Sequence, residues 1–293
     1  MDVDSKVHKV PNTAITLLGK DFLSRSTVTT RSLDSRVTIG ISPGHTNHNE
    51  DAVGAAIVGE RTILAIADGH WGDEASILAI TETIGLLAKN QFPHGNEPIG
   101  WFYILFERLN QTLLSQALQD DILRAPETSL IVAHITHRKD GTNLVHWASF
   151  GDSFLYLVRT NGEAEQLNCL QSTWLGALSA LSGAAERGKI IVPYTQQDRP
   201  DIYQNVADGL HVGIADLLMD DLLILATDGI PQCTKRNITS LHPSDIAKLV
   251  CKEETVLTIC ETLISAALKA GGVDNIAVAV YKNISQQGVE NVR

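Results

Sequence analysis

Short apolar segments that begin or end at an acidic turn constrain the fold of this chain more than any other feature of its sequence. A single Asp-Gly after a strand is usually only a turn, because glycine adopts positive φ and aspartate caps the local backbone. Several such turns can instead meet at one edge of a common core, where their carboxylates would repel one another unless a cation lay among them. The segments are TILAIA before Asp68-Gly69, HWASF before Gly151-Asp152, LLILAT before Asp228-Gly229, AVGAAIV after Glu50-Asp51, and IAVAV after Asp274-Asn275.

The ligand types at these turns favour a hard divalent cation. The turns offer carboxylate oxygens, and no cluster of histidines or cysteines accompanies them in the sequence. Oxygen ligands favour Mg²⁺ or Mn²⁺ over Zn²⁺ or Cu²⁺. Two such ions can activate a water molecule and neutralise the charge of a transferring phosphoryl group. The residues therefore predict a binuclear metal site.

The order of the predicted elements favours an α+β fold. Helical periodicity runs from Asp73 to Leu87, from about Pro98 to Asp120, and again over 243–252 and 254–270, while the intervening apolar segments are typical of strands. Paired helices and hairpin-linked strands predict two mainly antiparallel sheets flanked by helix pairs, a four-layer α/β/β/α sandwich, and not a parallel βαβ sheet.

The predicted domain organisation has one large unit. Residues 1–35 lack clear periodicity and are expected to form an N-terminal arm or an edge strand. Residues 36–285 would form the domain, and 286–293 a C-terminal tail. The stretch 167–201 also shows no firm period.

Composition excludes several classes of protein. The chain has 23 Lys and Arg against 34 Asp and Glu, a formal net charge of −11, and no basic patch, which argues against a nucleic-acid partner. No basic N-terminal region or apolar run of about 18 residues indicates a secretory signal or a membrane span. The four cysteines lack a CxxC spacing, which favours reduced thiols. We expect a cytoplasmic monomer that binds neither nucleic acid nor membrane.

In chain order, the acidic motifs resemble those of the type 2C metal-dependent protein phosphatases, from about residue 37 to residue 282. The resemblance implies a β-sandwich flanked by helix pairs, with two Mn²⁺ or Mg²⁺ ions at one edge. It also implies a phosphoserine or phosphothreonine substrate in a protein, attacked by the water between the metals without a phosphoenzyme. The motifs are NEDA at 49–52, ADGHWG at 67–72, GDS at 151–153, ATDG at 226–229 and VDN at 273–275.

The same resemblance implies which residues hold the metal ions. Asp68 would bridge the two ions. Gly69 would offer its carbonyl, and Glu50 would serve the same ion directly or through water. Asp228 and Asp274 would hold the other ion.

Further residues would assist the centre. The resemblance implies that Asp51 supports Glu50, that Asn275 orients Asp274, and that Asp152 contributes to a weakly held third ion. His70 matches the position of a general acid toward the leaving alcohol. A histidine beside a turn is often only a structural hydrogen-bonding group, but its place after Asp68 favours the catalytic role.

The chain departs from the family pattern at the substrate side. Thr46 stands where many members carry an arginine that grips the substrate phosphate, and a hydroxyl does not replace a bidentate guanidinium. This predicts weaker phosphate binding, or recruitment of another cation such as Arg31, Arg36 or Arg61. Phe154 follows GDS where an arginine is frequent. Gln232 replaces an acid after ATDG, which weakens the predicted third ion.

Two other functions remain open at the level of sequence. A catalytically weak or inactive type 2C-like regulatory protein could bind a phosphoprotein partner through the same fold, and Thr46 and Phe154 motivate that alternative. A metal-dependent hydrolase of small phosphoesters is the third. Retention of every metal-site carboxylate favours the protein serine/threonine phosphatase.

Overall fold

The protein folds into two antiparallel sheets that pack face to face between helices. The computed structural model describes residues 13–88, 98–119, 126–138, 140–171, 174–176, 206, 209–230 and 242–284. The first sheet has six strands, in the spatial order β1 (Thr13–Leu18), β4 (Ala52–Val58), β5 (Arg61–Ala67), β8 (Leu130–His137), β9 (Asn143–Phe150) and β12 (His211–Leu217).

The second sheet also has six strands. Its spatial order is β11 (Ala164–Gln166), β10 (Phe154–Val158), β13 (Leu222–Ala226), β14 (Ile276–Lys282), β3 (Val37–Ser42) and β2 (Thr29–Asp34). A separate two-stranded ladder joins β6 (Gly69–His70) to β7 (Glu127–Thr128).

Four helices cover the outer faces of the sheets within the described residues. Helices α1 (Glu74–Ala88) and α2 (Pro98–Gln119) share a buried apolar cluster with the first sheet. Helices α3 (Pro243–Val250) and α4 (Val256–Ala270) share another with the second sheet. A third cluster lies between the two sheets, where side chains of β3, β5 and β14 meet. This arrangement confirms the predicted four-layer sandwich.

Strand alternation explains how one strand serves two layers. In β5, Ile63 and Ala65 belong to the cluster under α1 and α2, whereas Leu64 and Ile66 belong to the cluster between the sheets. Successive side chains of a strand point to opposite faces, so a strand buried on both faces is apolar throughout. The continuous apolar run that ends at Asp68 is the sequence signature of that double burial.

Residues 13–34 form sheet edges. β1 pairs antiparallel with β4, and β2 pairs antiparallel with β3. Between them, a short 3₁₀ helix at Gly19–Asp21 packs beside the chain that leads into β4, where the Gly19 N–H donates to the Asp51 carbonyl oxygen at 2.8 Å. The acidic loop before β4 is therefore braced by chain that precedes it by about 30 residues.

Several predictions from sequence fall on residues outside the described part. These are the predicted tail at 286–293, Gln232, Cys233 and most of the stretch 167–201. Among the described cysteines, Cys169, Cys251 and Cys260 are free thiols. No helix in the described ranges combines the length and the apolar character needed to cross a membrane.

Candidate metal centre

The sheets bring the predicted acidic residues to one end of the sandwich. Asp68 directly follows β5, and Asp51 directly precedes β4, its antiparallel neighbour. In the second sheet, Asp228 lies two positions after β13, and Asp274 two positions before the neighbouring β14. Antiparallel neighbours enter and leave the sheet at the same edge, which explains why acids distant in sequence meet.

Asp68 lies at the centre of this group. Burial raises the pKa of its carboxyl group well above the usual range, and the charges of Asp51, Asp228, Asp152 and Asp274 raise it further. When the neighbouring carboxyl groups are ionised, the buried Asp68 Oδ2 has no hydrogen-bond donor among the described residues. Closely spaced carboxylates, among them a buried Asp68 oxygen without a donor, fit the all-oxygen ligand set of a hard divalent cation.

Burial also raises the pKa of two further carboxyl groups at this end of the sandwich. Burial raises the pKa of Asp228 to about 7, with Asp274 and then Asp152 adding to the shift. Burial also raises the pKa of the half-buried Glu50, opposed first by His48 and then by the Gly72 N–H. The residues present therefore fit the predicted metal site, because a divalent cation would stabilise the charged carboxylates that burial and neighbouring acids disfavour.

Gly69 permits the close approach of two site segments. A Cβ atom on Gly69 would lie 2.5 Å from the Glu50 carbonyl oxygen and 2.9 Å from the Gly72 carbonyl oxygen. Only glycine tolerates backbone this close, which keeps the turn after Asp68 against the loop that carries Glu50.

Asp51 is buried and bonded across the sandwich. Thr227 Oγ1 donates to Asp51 Oδ2 at 2.8 Å and accepts the Ala277 N–H at 2.9 Å. Asp51 therefore joins the first sheet to the end of β13 in the second. Thr227 is a hydrogen-bond partner of this carboxylate, and a side-chain support of the Glu50 backbone comes from a further residue. Sequence reasoning missed Thr227, for which the threonine of ATDG is the available signal.

Asn275 provides that support. Its Oδ1 accepts the Glu50 N–H at 2.8 Å, and its Nδ2 donates to the His48 carbonyl oxygen at 2.7 Å and to Thr46 Oγ1 at 3.0 Å. Its backbone N–H donates to Asp274 Oδ1 at 2.8 Å. The predicted contact with Asp274 is thus made by the backbone, while the side chain holds the loop that leads to Glu50.

The side chain of Thr46 forms hydrogen bonds within the site and does not stand free. Its hydroxyl donates to the Pro43 carbonyl oxygen at 2.7 Å and accepts from Asn275 Nδ2. This hydroxyl is engaged in holding the loop, so the structure gives Thr46 a structural contact where the sequence suggested a substrate contact.

The three cations suggested in place of the missing arginine have other positions in the sheets. Arg61 begins β5 at the end opposite to Asp68, and Arg36 is paired with Asp34 at 2.6 Å beyond the far end of β3. Arg31 lies in the middle of the edge strand β2, opposite Ile39 of β3. The exposed Arg25, which sequence reasoning missed, donates from Nε to Asn47 Oδ1 at 2.6 Å, beside Thr46.

His70 lies at the rim of the carboxylate group. Its Nε2 is 4.0 Å from Asp68 Oδ1, and its ring meets Trp174 edge to face with centroids 4.7 Å apart. Trp174 Nε1 donates to Asp152 Oδ1 at 3.0 Å. One potential ligand atom from each of Asp68, His70 and Asp152 lies within 4.8 Å of the others. The imidazole therefore lies beside the carboxylates of Asp68 and Asp152.

Trp71 directly follows His70 in the chain. Its backbone φ is +64°, and 55% of the residue is exposed. Burial raises the pKa of Glu127 to about 7, and a side-chain hydrogen bond from Trp71 opposes the rise. The indole N–H of Trp71 is thus hydrogen-bonded to Glu127, while the rest of the residue stays largely exposed.

The comparisons with known proteins agree with this geometry. The protein phosphatase PhpP of Streptococcus pneumoniae is 28% identical over 229 residues, which cover 75% of this chain and 85% of PhpP. A bacterial serine phosphatase matches with a TM-score of 0.63 at 19% identity, over 85% of this chain and 98% of its own. No family model matches the sequence.

Two further solved structures share the fold. The Streptococcus agalactiae serine/threonine phosphatase matches with a TM-score of 0.61 at 22% sequence identity. The catalytic domain of PstP in complex with two manganese ions matches with a TM-score of 0.58, also at 22% sequence identity. Each match covers 88% of this chain and 100% of the other. The predicted resemblance is confirmed: the chain is similar in sequence to the protein phosphatase PhpP and shares its fold with these bacterial serine/threonine phosphatases.

Proposed function

We propose that the protein is a metal-dependent serine/threonine phosphatase that hydrolyses phosphoserine and phosphothreonine in proteins. The observation that carries this proposal is the buried Asp68 surrounded by four further aspartates at one end of the sandwich. The relatives named as protein phosphatases, and the two manganese ions of the PstP structure, support it.

Two ions would be held by the predicted residues. Asp68 would be shared between them, with Glu50 and the Gly69 carbonyl on one side and Asp228 and Asp274 on the other. Bound Mn²⁺ or Mg²⁺ would supply a water of lowered pKa and neutralise charge on the phosphoryl group. The role of the chain itself is to hold these oxygens in place, which Asn275 does for Glu50 through its side chain.

His70 would act as the general acid. Its ring lies beside Asp68 at the rim of the centre, with the side chain 30% exposed, so that a leaving alkoxide can approach it from solvent. Protonation of a serine or threonine alkoxide is needed because an unprotonated alkoxide is a poor leaving group. A positioned acid typically contributes 10²–10⁴-fold to such a step.

The phosphate would meet Arg25 and not Thr46. Arg25 is exposed, and in the described part of the chain no group bonds to its two terminal nitrogens. Its Nε–H bond to Asn47 holds it beside the loop that carries Glu50. A guanidinium in this place would offer a forked donor to a phosphate bound at the carboxylate group.

Neither alternative function gains support from the structure. A regulatory binder would not need Asp51, Asp68, Asp152, Asp228 and Asp274 to be kept together at the cost of mutual repulsion. We also propose that the protein is a cytoplasmic monomer, which sedimentation and cell fractionation would test.

The deciding experiment measures phosphate release from a phosphothreonine peptide with Mn²⁺, with EDTA, and with the Asp68→Asn variant. We expect turnover only with Mn²⁺, and a loss of at least about a hundredfold in the variant, because even residues that merely support a metal ligand cost 10–100-fold. Asp140→Asn, at an exposed turn between β8 and β9, is the matched control and should keep full activity.

The outcomes separate the three functions. Absence of metal-dependent turnover in the wild-type chain would overturn the phosphatase and leave the regulatory binder. Faster turnover of small phosphorylated metabolites than of the peptide would favour the hydrolase of small phosphoesters.

A further inference from the structure

Trp174 occupies a place that neither the motifs nor the proposed reaction explains. The backbone around it is firmly held: Leu175 makes two backbone hydrogen bonds with Thr128 at 2.9 and 3.1 Å, and the Gly176 N–H donates to Asn110 Oδ1 at 2.8 Å. Leu175 itself is completely buried. Trp174 is therefore presented to the centre by a segment anchored to β7 and to α2.

The indole of Trp174 touches two residues of the centre at once. Its ring packs against His70 at an interplanar angle of 78°, and its Nε1–H donates to Asp152 Oδ1. An indole N–H is a donor only, so it satisfies a carboxylate oxygen without offering a ligand to a cation. One oxygen of Asp152 is thus already engaged.

The hydrogen bond from Trp174 to Asp152 matters because Asp152 belongs to a group of possible cation ligands. Asp68, His70 and Asp152 offer ligand atoms that lie close enough together to hold a cation. A cation bound there would take a nitrogen of His70 as a ligand, and a coordinated nitrogen has no free lone pair with which to carry the proton for the leaving group.

We propose that Trp174 is a positioning residue that holds the His70 ring and engages Asp152, so that this side of the centre does not bind a third cation. The inference rests on the proposed phosphatase function. Its two parts use different atoms of one side chain: the aromatic ring acts on His70, and the N–H acts on Asp152.

Two substitutions test these parts. Trp174→Phe keeps an aromatic ring against His70 and removes the N–H from Asp152. Trp174→Leu removes both. Trp101→Phe, a buried tryptophan on α2, is the control for losing one indole outside the centre, and thermal melting verifies that each variant folds.

The first measurement counts bound Mn²⁺ by electron paramagnetic resonance of the free ion and does not depend on turnover. We expect two ions in the wild type and three in Trp174→Phe, with the third lost again when Asp152→Asn is added. A wild-type protein that already binds three ions, with the third lost in Asp152→Asn, would overturn the inference. So would a Trp174→Phe variant that binds only two.

The second measurement compares leaving groups. Hydrolysis of a phosphothreonine peptide needs a proton donor, whereas nitrophenyl phosphate releases a stable phenolate. Trp174→Leu should lower kcat for the peptide by about tenfold or more, because hydrolysis of the peptide depends on proton donation by His70. The kcat for nitrophenyl phosphate should stay within about twofold, because its leaving group needs no proton donor. An equal loss for both substrates would show a merely structural role and overturn this part.

The two proposals fail in different ways. A wild-type chain that binds two ions but releases no phosphate overturns the phosphatase, while the ion count still decides the role of Trp174 at Asp152. A wild-type chain that binds no Mn²⁺ overturns both.

Discussion

Asn275 Oδ1 accepts the backbone N–H of Glu50 at 2.8 Å, across 225 positions of the chain. Glu50 precedes a strand of the first sheet, and Asn275 precedes a strand of the second. This bond therefore ties the two sheets together at the metal centre. The Nδ2 atom of the same residue holds the loop before Glu50 through three oxygen acceptors.

Replacing Asn275 should weaken metal binding without removing a metal ligand. We expect Asn275→Ala to lower Mn²⁺ affinity about 10- to 100-fold, measured by calorimetric titration, because the loop that carries Glu50 loses its anchor. Asn275→Asp keeps the Oδ1 acceptor but loses the Nδ2 donors, so it should also bind Mn²⁺ weakly. Wild-type affinity in Asn275→Ala would show that Glu50 is positioned by other contacts.

Removing the central carboxylate should make the metal-free protein more stable. Burial and four neighbouring aspartates raise the pKa of Asp68, which means that its charged form destabilises the fold at neutral pH when no cation is bound. In EDTA at pH 7.5, Asp68→Asn should unfold at a higher temperature than the wild type, and Mn²⁺ should reverse that order. A lower melting temperature of the variant in EDTA would contradict this account.

Two histidines on β8 should make stability fall in mild acid. Burial, followed by nearby cations, lowers the pKa of His134 and of His137 to about 4. The unfolded chain takes up these protons near pH 6.5, and the folded protein does so only near pH 4. The contribution of the two neutral histidines to stability is therefore fully present above about pH 6.5 and is lost as the pH falls toward 4.

The measurement is the free energy of unfolding in urea with EDTA, at pH 7.5 and pH 5. Between pH 7.5 and pH 5, the free energy of unfolding of His134→Gln should fall by about 1–2 kcal/mol less than that of the wild type. The reason is that each pH unit between the unfolded and folded pKa values of His134 changes the free energy of unfolding by about 1.4 kcal/mol. The carboxylates of the centre are common to both proteins, so their titration cancels in the difference. Equal losses in the two proteins would contradict the prediction.

Arg25 should contribute to substrate binding more than to chemistry. We expect Arg25→Ala to raise KM for a phosphothreonine peptide about tenfold with little change in kcat, because a forked guanidinium contact to phosphate is lost. Arg25→Lys should recover only part of the loss. Arg31→Ala, in the middle of the edge strand β2, is the matched control. An unchanged KM in Arg25→Ala would show that the phosphate is bound by other groups.

Much of the fold could be predicted because its signals are local. The apolar runs around Leu64 and Leu223 are buried on both faces of strands, as their composition indicates. The predicted helix from about Pro98 to Asp120 is observed at Pro98–Gln119, since proline is well suited to a first turn and apolar residues recur along one face.

The partners of individual side chains could not be predicted in this way. Thr46 stands at a position that the motif assigns to substrate, yet its hydroxyl is engaged by Pro43 and Asn275. Arg25 and Trp174 lie in no motif, because Arg25 meets Asn47 and Trp174 meets Asp152 through contacts between segments remote in sequence.

The sequence by itself determined that apolar strands end in carboxylates, and so that a divalent cation is the natural partner of this chain. Periodicity and residue type are sufficient for that, since both act over a few neighbouring residues. Only the tertiary structure decided which side chains support those carboxylates. Antiparallel pairing brings Glu50 to Asn275 and Asp51 to Thr227, and the anchored segment at Leu175 brings Trp174 to His70, because such contacts depend on how distant segments pack.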